Sequence, residues 1–123
     1  MDRFFVFAVL ALYVASASAD GVARMPVGDV RVLMVAAIDA PGGDAHGVLV
    51  GSLAQVISQR FRSVAPITID VTTLSRLPQT GCSRLQVVFA QEGVVLPADP
   101  APKRKTVAFD LNYCRDGSPP RPN

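Results

Sequence analysis

The chain's single histidine, His46, lies close to two carboxylates in Asp39-Ala40-Pro41-Gly42-Gly43-Asp44-Ala45-His46-Gly47. An imidazole beside two acids could hold a divalent metal or divide acid and base work. Asp39, Asp44 and His46 are therefore the candidate ligand or metal group. The stretch reads as a turn between a strand and a helix, where backbone N–H groups can receive an anion. Its glycines fit neither G-x-G-x-x-G nor G-x-x-x-x-G-K-[ST], and it has no lysine to reach a phosphate. On a helical wheel His46 falls within the apolar arc, which favours packing against a sheet over ligation.

Other chemistry has less support. Ser52 falls on the polar side of the expected helix, and no G-x-S-x-G elbow occurs. Asp70 and Asp110 fall on polar strand faces, where solvation is the ordinary role of a carboxylate. No catalytic residues, resident metal or cofactor are assigned, and the chain is expected not to be an enzyme.

Cys82 and Cys114 are the only cysteines. An even count in an exported domain reads as one structural disulfide. Zinc sites usually need four ligands, and no C-x-x-C is present for thiol exchange.

The third place of interest is 91–105, which carries three prolines, the apolar triplet Val94-Val95-Leu96 and the basic triplet Lys103-Arg104-Lys105. It is expected to be a long connection between the last two strands, far beyond ordinary hairpin length. Val94, Val95 and Leu96 either cover an edge of the core or, with Pro97, Lys103, Arg104 and Lys105, form an arm for a protein partner. Prolines reduce the entropy lost when such an arm is ordered.

These groups need elements to position them. Residues 30–38 are apolar on both alternating faces and are expected to form a central strand. A helix is expected from 45 to 62, with Asp44 as its N-cap. Ile67, Ile69 and Val71 alternate with Thr68, Asp70 and Thr72 in a second strand, parallel to the first through a right-handed crossover. Leu85, Val87 and Phe89 mark a third strand; Val107, Phe109, Leu111 and Tyr113 mark a fourth. Setting Cys82 opposite Cys114 in an antiparallel pair places Leu85 against Leu111, Val87 against Phe109 and Phe89 against Val107. It also sets Gln86 opposite Asp110, with Arg84 on the diagonal. The expected fold class is α+β: a small four-stranded mixed sheet, order β-α-β-β-β, packed by one amphipathic helix, with one disulfide joining the last two strands.

The N-terminus reads as an address. Asp2 and Arg3 precede an apolar run over 4–14, and Ala15-Ser16-Ala17-Ser18-Ala19 supplies the small residues of a cleavage site. Residues 1–19 are expected to be a cleaved secretory signal, 20–114 a single domain and 115–123 a disordered proline-rich tail. The run is short for a bilayer span, so no stable membrane insertion is expected after cleavage. A net charge of +2 gives no general basic face and argues against nucleic acid. Arginine outnumbers lysine, and alanine and valine are abundant, a bias that suggests a GC-rich genome and so a periplasmic or secreted bacterial protein.

The functional expectation is an exported, non-enzymatic binding domain with a protein partner, an accessory component of a bacterial envelope assembly. The alternatives are an inhibitor or immunity-type protein of an extracytoplasmic enzyme, and a small metal- or ligand-binding protein using the 39–47 loop.

Overall fold

The computed structural model describes residues 21–121; the expected signal at 1–19 lies outside them. The chain is α+β, with a five-stranded mixed sheet and two helices. In chain order these are β1 (Met25–Val27), α1 (Val30–Asp39), β2 (Asp44–Leu49), α2 (Ser52–Arg60), β3 (Ile67–Arg76), β4 (Cys82–Leu96) and β5 (Asp99–Cys114). Strands lie in the order β1-β2-β3-β4-β5; β1 and β2 are parallel and every other pair is antiparallel.

The first half differs from the expected strand and helix, and the differences have physical causes. The apolar run over 30–38 is α1, not a strand. Asp29 caps it from the extended region, its Oδ1 accepting the Arg31 N–H at 2.9 Å. Leu33, Met34 and Ala37 fall on one helical face and are buried, while Val32 is exposed.

The expected helix over 45–62 is divided. Asp44 does not cap a helix; it begins β2, in which Gly47 and Leu49 are buried and His46 and Val48 are half-buried. Gly51 then adopts φ 93°, a conformation that favours glycine, and separates β2 from α2. The sheet therefore has five strands rather than four and is accompanied by two helices rather than one. The parallel pair is β1 with β2, and β3 runs antiparallel to β2.

Gly47 is required by packing. A Cβ there would lie 2.5 Å from Leu33 Cδ1 and 2.9 Å from the Met25 carbonyl oxygen. Its absence lets α1 settle onto the sheet. The core then joins Leu33, Met34 and Ala37 to Leu49, Ile67, Ile69, Val71, Leu85 and Val87.

The second half follows the sequence closely. Cys82 pairs with Cys114, Leu85 with Leu111, Val87 with Phe109 and Phe89 with Val107. The Cys82–Cys114 disulfide is closed. Gln86 faces Asp110, and Arg84 reaches the Asp110 carboxylate at 3.8 Å. The segment 91–105 is not a long loop: both strands continue through register shifts to a turn at Pro97 and Ala98. After Cys114 the chain folds back, with the Cys114 N–H donating to the Ser118 carbonyl and the Arg121 N–H to Gln79 Oε1 at 2.9 Å. Among the described residues no helix is long and apolar enough to cross a membrane.

Candidate functional site

Two places on opposite faces of the sheet gather side chains beyond the needs of the core. On the helix-covered face, a groove of about 570 Å³ opens between α2 and β5. Leu53, Ile57 and Phe61 recur every four residues and form the α2 wall; Phe89 and Phe109, with ring centroids 6.1 Å apart, form the sheet wall. Asp29, Gln91 and Lys105 are its polar lining residues.

Helix α2 itself buries no residue and has no side-chain N-cap. It is held at its C-terminal end instead. Gln91 Nε2 donates to Ser58 Oγ and to the Ala65 carbonyl, Ser63 Oγ donates to the Glu92 carbonyl, and the Val95 N–H donates to the Phe61 carbonyl. The apolar groove wall is thus left half open: Leu53 is 54%, Val107 49% and Phe109 42% exposed. Gln91 Oε1 is buried without a hydrogen-bond partner, an uncompensated polar atom at the edge of an apolar site.

On the opposite face, His46 of β2 and Asp70 of β3 are register partners. His46 Nδ1 lies 2.6 Å from Asp70 Oδ1, and Arg24 Nη1 donates to the same oxygen at 3.0 Å. Arg24 also donates to the Gly47 and Ile69 carbonyls. Burial pushes the Asp70 carboxyl up, but the Arg24 guanidinium and the His46 ring outweigh it and hold it below the usual carboxylate range. The carboxylate orients the imidazole and fixes Arg24 across the parallel edge of the sheet. Such a dyad can hold a proton at a set position.

The structure separates the residues first considered as a ligand group. Asp39 ends α1 and pairs with Arg115 at 2.7 Å. Asp44 begins β2 opposite Thr72, and His46 turns to Asp70 instead. No group of three or more metal-ligating side chains occurs among the described residues. Asp70 was legible only as a polar-face residue. Arg24, preceding a three-residue strand, carried no pattern that would have found it.

The arm residues are also divided. Val94 is buried and belongs to the molecule's interior. Val95 and Leu96 are half-buried and Pro97 is exposed. Lys103 pairs with Asp99 and Arg104 with Glu92, and both, like Lys105, are exposed on β5. Of the groove residues, Ile57 packs against the core while Leu53 is exposed; the sequence signal that marks α2 off from β2 is Gly51.

Compared with known proteins, the chain matches no family model, no curated protein and no solved structure.

Proposed function

We infer that this chain is an exported, non-enzymatic binding domain, an accessory component of a bacterial envelope assembly, and that its groove receives apolar side chains of a protein partner. The observation that carries this reading is the half-open groove between α2 and β5, in which Ile57 packs against the core but Leu53 of α2 and Val107 and Phe109 of β5 remain exposed. An apolar cavity with a few polar groups at its mouth is the usual form of a recognition site. Aromatic residues such as Phe61 and Phe109 can anchor a partner at low entropic cost. The closed disulfide and the absence, among the described residues, of a helix able to cross a membrane are compatible with a periplasmic or secreted location.

The test places a photoreactive side chain at Leu53, in the groove, or at Thr72, exposed on β3. One partner crosslinked in the native envelope fraction from Leu53 but not from Thr72, and lost when Phe61 is also changed to Asp, supports the reading. Equal capture from both positions, or none from Leu53, removes it.

A further inference from the structure

Strand β5 is an edge of the sheet, and an edge strand exposes a row of unpaired backbone groups. Which groups face outward follows from the ladder. The Arg115 N–H donates to the Gly81 carbonyl at 2.8 Å, one step beyond the Cys82–Cys114 pair. Pairs in an antiparallel ladder alternate between exchanging hydrogen bonds and not. The register is unbroken from Cys114 back to Lys105. Odd-numbered residues of β5 therefore turn their backbone groups to β4, and even-numbered residues turn theirs outward.

That outward row is closed at both ends. At one end Cys114 donates its N–H to Ser118 of the returning tail. At the other, Pro102 and Pro100 have no N–H to offer. Between them lies Thr106-Val107-Ala108-Phe109, uncharged, rich in strand-forming types and exposed throughout. The two charges on its outward row stand symmetrically about Val107: Arg104 three residues before it, which pairs with Glu92 within its own copy, and Asp110 three residues after, 3.8 Å from Arg84 of its own copy.

We propose that two copies of this chain pair antiparallel along β5 over residues 104–110, about a twofold axis at Val107, forming one continuous ten-stranded sheet. In this register Arg104 of each copy faces Asp110 of the other, Thr106 faces Ala108, Lys105 faces Phe109, and Val107 meets its own counterpart. Backbone hydrogen bonds run from the even-numbered residues, whose groups are the ones turned outward. Shifting the pairing by two residues in either direction brings Arg104 opposite Ala108 or Asn112 and loses both ion pairs. The ladder ends at Pro102, so the contact is short, and a weak dimer is expected. Phe109 and Val107 line the apolar groove, so pairing brings the two grooves to either side of the axis on one face.

The test uses the purified full chain with its disulfide closed. Sedimentation equilibrium is expected to show a reversible monomer–dimer exchange. Arg104→Asp or Asp110→Arg alone sets like charges opposite each other twice and is expected to weaken the dimer about tenfold. The double variant restores the pairs and the affinity. Val107→Cys is expected to crosslink copies under mild oxidation, and Phe109→Cys, which faces Lys105, to do so far more slowly. All four positions are exposed, and the melt of each variant confirms that it folds. A monomer at every concentration, a double variant no tighter than either single one, or equal crosslinking from both cysteines overturns the proposal. So does a dimer that dissociates when Phe61 is changed to Asp but is indifferent to the charge swaps, which would place the contact in the groove.

Discussion

Leu33 and Gly47 meet so closely that the helix and the sheet leave no room for a methyl group between them: a Cβ on Gly47 would lie 2.5 Å from Leu33 Cδ1. This contact sets how deeply α1 sits on the sheet. Gly47→Ala is expected to cost about 1–3 kcal/mol, the usual range for overpacking, as read by urea unfolding. Leu33→Ala is itself destabilising. The double variant should lose less than the sum, because the shortened side chain makes room. Residual strain is expected all the same, since the Met25 carbonyl oxygen at 2.9 Å is backbone and cannot retreat as a side chain can.

Asp70 should make the fold acid-sensitive. Its carboxyl is held below the ordinary range, so its contribution is complete above the unfolded value of about 4 and is lost as pH falls through the lower folded value. Asp29 and Asp116 are shifted in the same direction by hydrogen bonds from Arg31 and Ser118. Asp70→Asn is expected to lower the neutral-pH melting temperature, because Arg24 and His46 lose a charged hydrogen-bond acceptor, and to flatten the decline as pH falls below about 4. A decline as steep as that of the parent chain would show that Asp70 does not carry the acid response.

The two ends of the apolar series on β2 and α2 should behave differently. Leu49 is 5% exposed and Leu53 is 54% exposed. Leu49→Ala is expected to cost about 2–4 kcal/mol through the cavity it leaves. Leu53→Ala should stay within about 0.5 kcal/mol. Thermal melts of the two variants check this; a large loss at Leu53 would mean that α2 is part of the core rather than a wall beside it.

Replacing both Cys82 and Cys114 with Ser should lower stability by about 3–4 kcal/mol in the chain-entropy model, the pair being 32 residues apart in sequence. An unchanged melt in oxidising buffer would contradict a structural staple.

The C-terminal half was legible because two independent signals coincide there. The cysteines and the alternation of Leu85, Val87 and Phe89 demand the same register, and a slip of one residue would turn every apolar side chain outward. The N-terminal half lacked such a cross-check. A run such as Val30 to Ile38 satisfies a two-sided strand and a buried helix equally by hydropathy, and only its length and the Asp29 cap separate them. Once that run is taken as a strand, Asp44 to Leu49 is pushed into the following helix, although Gly47 and Gly51 both argue against one. The polar cluster stayed hidden for a different reason: Arg24, His46 and Asp70 lie on three separate segments; the β2–β3 register pairs His46 with Asp70, and the β1–β2 pairing brings Arg24 beside them.

The hairpin of β4 and β5 has a chain turn at Pro97–Ala98 and a covalent bond at its far end. Residues 82–114 therefore form a closed ring, and its exposed tip is the sort of site where proteases cut. A single cut there opens the ring without releasing either strand: both fragments stay joined through sulfur and remain laid side by side by their ladder. Such a nicked molecule would migrate as one species until reduced and as two afterwards. A protein built this way keeps its shape after a cleavage that would take apart a reduced counterpart.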